Sequence, residues 1–596
     1  MKYFIFITGL LIVMMGYTAC FYKHDTIASE KQIAATLATQ VDSFATAKNK
    51  LLTLVQIGAS EAALQQQFLQ TRIAFKKFEW AAEYFAPTTS RFINGPPVEE
   101  IEADGQVIEP AGLQVIEAYL FPKYDTAHKK ELLQQLTALQ KGCDKYNIYF
   151  KNIGIFDWQV FDAAKLEMFR IETLGITGFD NPLTLQSAQE SSASITSLQK
   201  VMSYYAEEND TTNLLNKMAA ANTYLINNTN FNSFNRAAFI TAYADPVTTS
   251  ITDLEAGLKI HVITYNRLLR QDAKTLFDTN AFNANAYAPD TAYFMTDKKI
   301  ALGKMLFADP ILSTNGTRSC ETCHQPDKAF TDGLVKNTVM NSAALLPRNT
   351  PTLINAGLQP SLFYDLRANT LEDQSLAVVQ NEKEMHGNMQ VATVKLWNNK
   401  KYRGLFTVAF PKTNRVAIDT FEVMNAIGSY VRSLVLLNSR FDEYMRGNTI
   451  AITQQELNGF NLFMGKAKCG TCHYMPLFNG TFPPRYIKIE TEIIGVPQAI
   501  GKNKIDDDMG RYMIVPVASQ KHAFKIVTVR NAALTAPYMH NGVFTTLQQV
   551  VDFYNKGGGA GLGIKIDNQT LSTDTLNLTP KESDEIIAFI KTLNSK

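Results

Sequence analysis

Two pentapeptides constrain this chain more than anything else in it: Cys320-Glu321-Thr322-Cys323-His324 and Cys469-Gly470-Thr471-Cys472-His473. Each reads C-x-x-C-H. Two thiols spaced by two residues can add to the two vinyl groups of one porphyrin, and the adjacent histidine then reaches the iron from the proximal side. A single copy is equally compatible with half of a zinc site or with a disulfide. Two copies about 150 residues apart, each with its histidine, predict two covalently bound haem c groups. Cys320, Cys323, Cys469 and Cys472 would hold them, with His324 and His473 as iron ligands.

At 596 residues the chain exceeds what one core organises, so several domains are expected. Its hydrophobic share of 46% and charged share of 19% are those of a globular protein. A formal net charge of +1 gives nucleic acid nothing to hold, and no nucleic-acid partner is expected. Lys2 precedes an apolar run over residues 4–15, short for a membrane span and right for a signal core. The run ends at Tyr17-Thr18-Ala19-Cys20, which resembles a bacterial lipoprotein cleavage site. Residues 1–20 are therefore read as a lipoprotein-type signal peptide with Cys20 as the lipidated residue; an uncleaved anchor is the alternative. Either way the body is exported, to the periplasm or cell envelope, and meets the membrane through the lipid anchor only. The cysteine count agrees: Cys20, the four motif cysteines, and Cys143, expected as a buried apolar residue.

Taken in order, residues 21–278 look helical. The stretches 32–58, 62–85 and 129–150 are rich in Ala, Leu, Gln and Lys, with apolar residues recurring at three and four. A helical-bundle domain is expected there. Residues 279–297 lose this periodicity and gain Asn, Ala and Pro, as a linker does. Residues 298–445 and 446–596 each contain one C-x-x-C-H motif, with a helix predicted over 456–464 before the second and another over 581–593 closing the chain. The fold class expected is mostly α: an N-terminal helical bundle followed by two cytochrome c-like haem domains.

Within the bundle, Gly112-Leu113-Gln114-Val115-Ile116-Glu117 resembles the Gly-x-His-x-x-Glu segment of imelysin-like helical proteins. Gln114 stands where that family has histidine, and glutamine is a poor metal ligand, so the resemblance implies a fold rather than a metal or peptidase site.

A longer resemblance covers residues 295–596. Leu302-Gly303-Lys304-Met305-Leu306-Phe307, Phe330-Thr331-Asp332-Gly333, Arg348-Asn349-Thr350-Pro351-Thr352-Leu353, Asn381-Glu382-Lys383-Glu384-Met385 and Leu534-Thr535-Ala536-Pro537-Tyr538-Met539-His540-Asn541-Gly542 resemble the bacterial di-haem cytochrome c peroxidase/MauG family. The resemblance implies peroxide chemistry at the first haem, with Glu384 as distal acid/base and Gln374 beside it. Heterolysis of a peroxide needs a proton moved from one oxygen to the other, which a carboxylate can do. Peroxidases of this family carry a distal histidine in the loop after the first haem. Residues 332–348 contain none, and Asn341 sits near the expected place, so a first haem open to peroxide at rest is expected. The family's second-haem methionine aligns with Tyr554, as in MauG-like members; Met539 is the other candidate. A tyrosine oxygen is harder than a thioether sulfur and favours ferric and higher states. Tyr364 replaces the family's inter-haem tryptophan as candidate relay. Asn349, Thr535 and Pro537 match its calcium site, whose ligands are all oxygens.

The function these features imply is reduction of hydrogen peroxide to water, with electrons from a small c-type cytochrome or copper protein. Two alternatives stand beside it: a MauG-like oxidase acting on residues of a partner protein, and a non-catalytic electron-transfer or haem-based binding protein. A further reading places the function in the N-terminal bundle, as a metal- or haem-uptake binder.

Overall fold

The computed structural model describes residues 28–101, 107–206 and 210–595. The expected signal peptide, with Cys20, lies outside the described residues. No helix among those described is long and apolar enough to cross a membrane.

The architecture is mostly α-helical. Strands among the described residues form two short antiparallel pairs, Glu100–Ile101 with Val107–Ile108 and Thr491–Glu492 with Phe524–Lys525. The N-terminal helix Ala28–Ile57 buries Ile33, Leu37, Val41, Phe44, Leu51 and Val55, one apolar stripe at spacings of three, four and seven. Gly58, at φ 70°, ends it in the left-handed conformation favoured just past a helix terminus. Ser60 then caps Glu61–Lys76 by accepting from the Ala63 N–H at 3.4 Å. Glu61–Lys76 and Lys129–Asn152 pack on the first helix. At the centre runs Asp157–Thr173, buried on nearly every side although it carries Asp162, Lys165, Glu167, Arg170 and Glu172. Buried charge has to be compensated. Here Asp180 accepts from Lys76 Nζ (2.6 Å) and from both terminal nitrogens of Arg170 (2.7 Å each), while Arg72 pairs with Glu190 (2.5 Å).

The two haem-motif regions repeat one construction. In the first, Asp297–Ala308 crosses Thr420–Ser433 so closely that a Cβ on Gly303 would lie 1.9 Å from Ala426 O. In the second, Gln454–Phe463 crosses Pro580–Thr592, and a Cβ on Gly459 would lie 1.9 Å from Glu585 O. In each, the helix before the motif meets the closing helix backbone to backbone, and glycine is what the contact admits.

The cores are divided differently from the sequence order. Residues of the N-terminal bundle and of the second motif region, joined by Leu358, Phe441 and Met445 of the first, form one continuous apolar cluster. It runs from Ile33, Phe75 and Phe169 through Leu276 and Phe277 to Phe441, Phe460, Phe463, Met475, Phe478 and Phe589. The first motif region has its own two clusters, around Leu306 and Phe406 and around Phe330 and Leu371. The stretch 279–297, expected as a linker, is short of regular structure yet packed: Ala281 is buried, Phe282 lies 5.6 Å from the Tyr486 ring, and the Tyr287 hydroxyl donates to Tyr486 O.

Candidate functional site

The first motif opens on a short 3-10 turn, Cys320–Thr322, and the chain returns through Ala329 and Phe330, both at positive φ (52° and 58°). That return brings Phe330 O to 3.0 Å from His324 Nδ1. A carbonyl only accepts, so Nδ1 carries the proton and Nε2 keeps its lone pair. In the second motif, Val527 O does the same for His473 Nδ1 at 3.0 Å. Burial holds both imidazoles neutral, His473 down at about 4. A fixed tautomer offering a free Nε2 is what an iron ligand needs.

The paired thiols fit the same group. Burial pushes Cys320 and Cys469 up to about 12 and Cys323 to about 11, and also raises Cys472. Zinc would call for thiolates. Among the described residues no group of three or more His, Cys, Asp or Glu is arranged to hold a metal ion, and the described cysteines are all unpaired. The residues present therefore suit haem attachment better than zinc or a disulfide.

Glu384 lies in the turn that closes helix Leu371–Gln380. Thr370 starts that helix by accepting from the Asp373 N–H at 3.0 Å. Asn381 O ends it by collecting the N–H groups of Glu384 (3.0 Å), Met385 (3.1 Å) and His386 (2.8 Å). The Asn381 amide then donates to Glu384 Oε1 at 2.7 Å, fixing the carboxyl. Burial raises the Glu384 pKa above the ordinary carboxylate range; Arg367, the Asn381 bond and Arg318 oppose it. The charge of Glu384 also helps raise the Cys323 thiol, and Arg318, two residues before Cys320, donates to Glu384 O at 3.2 Å, so the residue lies near the first motif. Gln374 sits half-buried on the helix, and its side-chain amide makes no hydrogen bond among the described residues.

Arg318, two residues before Cys320, ties this pocket together. Its guanidinium donates to Glu384 O (3.2 Å) and to Thr338 O (2.7 Å). Residues 332–348 fold as a short hairpin closed by Val339 N to Ala344 O (2.7 Å) and Leu346 N to Asn337 O (2.7 Å). The hairpin docks on the Glu384 turn through Met340 N to Lys383 O (2.9 Å). Asn341 is at its exposed tip, at φ 55°, accepting from the Asn315 amide at 3.0 Å.

Tyr364 lies on the seam between the two halves. Its carbonyl accepts from Lys525 N at 2.7 Å, and burial keeps its phenol protonated. Next to it, Asp365 receives Arg348 (2.6 Å) and Arg367 (2.7 Å), and Arg348 reaches across to Asp508 (2.7 Å). His540 stacks on Phe524 at 3.7 Å and 9°, and its Nε2 meets Asp506 at 3.2 Å. Asn349 joins the same seam: its N–H donates to His540 O at 2.7 Å. Thr535 bonds Ala532 O at 3.4 Å, and Pro537 is buried in the same loop.

Tyr554 ends helix Leu547–Asn555. Burial raises its phenol pKa furthest, followed by the nearby Cys472, Cys469 and Glu492, so the side chain stands beside the second motif. Its hydroxyl makes no hydrogen bond among the described residues. Glu492 is a neighbour that spacing alone does not suggest: its carboxyl receives the Cys472 thiol at 3.5 Å and the Thr570 hydroxyl. Arg318 and Arg367 emerge in the same way, and Asn381, quoted above as part of the Asn381–Met385 segment, gains its role on Glu384 only in the fold. Asn381 alone carries a local signal, an amide three residues before an acid at a helix end.

The imelysin-like positions hold no such pocket. Gln114 Nε2 donates to Asn94 O at 3.0 Å, and Glu117 Oε1 accepts from the Thr184 N–H (2.8 Å) and hydroxyl (2.6 Å).

The model of the di-haem cytochrome c peroxidase family matches residues 297–450. The methylamine utilization protein MauG of Methylorubrum extorquens is 32% identical over 304 residues, which cover 51% of this chain and 80% of that protein. The cytochrome c551 peroxidase of Pseudomonas aeruginosa is 32% identical over 305 residues, with the same two shares, 51% and 80%. A solved MauG-like protein associated with microbial copper homeostasis is 29% identical, covers 52% of this chain and 92% of that one, and superposes with a TM-score of 0.46. With four-fifths of each curated relative matched, the chain belongs to the di-haem cytochrome c peroxidase family, as an oxidoreductase of that type whose cofactors are two haem c groups.

Proposed function

We propose that the protein reduces hydrogen peroxide to water, drawing two electrons from a small redox protein through the second haem. The observation that carries this reading is the Glu384 carboxyl, fixed by Asn381, raised in pKa by burial, and set near the first motif. His324 and His473 would hold the two irons through Nε2, and Tyr554 would be the second ligand of the second. When bound, the first haem supplies an iron that can take peroxide and deliver electrons to its O–O bond. The protein's part is the proton. Glu384 as carboxylate accepts it from one peroxide oxygen and returns it to the other, which leaves as water. Asn381 and Arg318 keep the carboxyl in place, and Gln374 offers an uncommitted amide in the first turn of helix Leu371–Gln380. Tyr364 would pass electrons across the seam. The same reading covers an exported, lipid-anchored protein, haem domains at 298–445 and 446–596, and a calcium ion held by oxygens of Asn349, Thr535 and Pro537.

Steady-state peroxide turnover with a reduced c-type cytochrome tests it. Turnover that depends on the cytochrome is expected; peroxide consumption with no donor oxidation counts against it. Pyridine haemochrome assay and intact mass should report two covalent haems per chain, and one after Cys469→Ala with Cys472→Ala.

A second reading is favoured by Tyr554. An oxygen ligand stabilises oxidised iron, which suits an oxidase acting on residues of a partner protein. Tyr554→Met is expected to raise the second-haem potential and to bring in the sulfur-to-iron absorption of a His/Met haem. If the wild-type protein already shows that absorption, a methionine such as Met539 is the ligand and the oxidase reading falls.

A further inference from the structure

Among the contacts of the N-terminal bundle with the second motif region is one buried arginine. Arg236 starts the helix Arg236–Phe239 and is wholly buried. Its guanidinium donates to the carbonyls of Ile176 (2.9 Å), Phe231 (3.0 Å) and Phe234 (3.1 Å), and lies 4.5 Å from the centre of the Phe231 ring. Its backbone N–H donates to Asn461 Oδ1 at 2.8 Å, and Asn461 is on the helix that leads into the second motif.

No carboxylate among the described residues pairs with Arg236. The second motif region contains a buried arginine of the ordinary kind for comparison. Arg530 is equally enclosed, but Asp442 receives both of its terminal nitrogens, at 2.9 and 2.7 Å. Arg530 is neutralised and Arg236 is not. An uncompensated buried charge is costly to fold, and carbonyl dipoles solvate it without cancelling it.

Its position gives the charge a use. A Cβ on Gly465 would lie 2.5 Å from Arg236 Nη1, so the guanidinium rests on the Gly465 backbone. Gly465 O accepts from Lys468 N at 2.8 Å, closing the turn that presents Cys469. The residues on either side of this contact line the second motif. The Phe463 ring lies 6.4 Å from that of His473, and Met464 fills the space over Gly470. Arg236, Met464 and Gly465 are all buried, and in such a medium a unit charge acts over longer distances than in solvent.

We propose that Arg236 is a positioning charge which raises the reduction potential of the second haem. Gain of one electron lowers the charge of the iron site by one, and a fixed cation nearby favours that lower-charge state. The bundle thereby acts on electron entry without touching a substrate. The inference rests on haem at the second motif, and the haem count of each protein separates failure of that reading from failure of this one.

The test is a spectroelectrochemical titration of both haems in full-length holoprotein. Arg236→Gln removes the charge. Phe231→Glu, at a half-buried position, puts a carboxylate beside the guanidinium and leaves its carbonyl bonds intact. Both are expected to lower the reduced-to-oxidised ratio of the second haem about tenfold at a given applied potential, a downward shift of ~59 mV for a one-electron couple. Arg236→Lys should restore most of the loss, and the first haem should not move. Two haems with an unchanged second potential in Phe231→Glu overturns the proposal, even if Arg236→Gln does not fold. Equal shifts of both haems overturn it too, because they report a general disturbance.

Discussion

Replacing Glu384 by Gln is expected to slow peroxide turnover by about a hundredfold or more, with haem content unchanged. Glutamine keeps the length of the side chain and can still accept the Asn381 amide through its own Oε1, so the turn closing helix Leu371–Gln380 has no reason to move. What is lost is the buried carboxyl of that turn, the group fixed by Asn381 that can take a proton and give it back. The wild-type pH profile should carry the same signature. Glu384 has to be ionised to accept, and burial raises its pKa above the value of about 4.3 for a free glutamate. The rate should therefore fall on the acid side at a pH above ~4.3. Arg367 is the strongest charge opposing that rise. Arg367→Gln should move the acid limb to still higher pH. Stopped-flow rates against pH for the three proteins check both statements. If Glu384→Gln stays within about threefold of wild type, the proton is moved by another group.

Much of this site was legible because its signals are local. The two C-x-x-C-H motifs are pentapeptides, and the helices beside them carry their own start signals. Thr453 and Glu456 form a capping box at the head of Gln454–Phe463, and Thr579 and Glu582 form one before Pro580–Thr592. The helix expected over 129–150 is found as Lys129–Asn152. The one expected over 62–85 is broken into Glu61–Lys76 and Glu79–Phe85. Periodicity continues through the break, but Lys76 turns inward to Asp180 and Glu79, and the Phe78 ring wedges between Phe75 and Tyr146. Asp180 and Tyr146 are distant in sequence, and no window of eighteen residues contains them with the break. The same limit hid the shared core of the bundle and the second motif region. Arg236 and Asn461 are 225 positions apart, and each alone reads as an ordinary surface residue. Arg318 and Arg367 likewise become neighbours of Glu384 only when three separate loops meet.

Asp180→Ala should destabilise the bundle by about 3–5 kcal/mol, the cost of removing one partner from a buried ion cluster. Asp180 is fully enclosed and accepts from Lys76 Nζ, from both terminal nitrogens of Arg170, and from the Asn94 amide at 3.1 Å. Without it, two buried cations are left to Glu79, which lies 2.7 Å from Lys76 and 3.3 Å from Arg170, and to Glu190, 3.7 Å from Lys76 and already paired with Arg72. Arg170 and Lys76 hold the Asp180 pKa well below its ordinary value against the opposing effect of burial. A depressed carboxylate contributes stability that is complete above its unfolded pKa of about 3.9 and is lost as pH falls through the folded value, so the wild-type advantage should be full at neutral pH and shrink below about pH 4. Asp180→Asn keeps the side-chain outline and should fall between the two. The shared core sets how the loss is seen. Because the bundle and the second motif region form one apolar cluster, helix loss and the change in the second haem's spectrum should move to lower denaturant together. Most of the first motif region's core lies in its own clusters, with only Leu358, Phe441 and Met445 in the shared one, and the first haem should keep its midpoint. Urea titrations followed by circular dichroism and by haem absorbance distinguish the outcomes. If the second haem holds its midpoint while the bundle melts early, the two do not unfold as one unit.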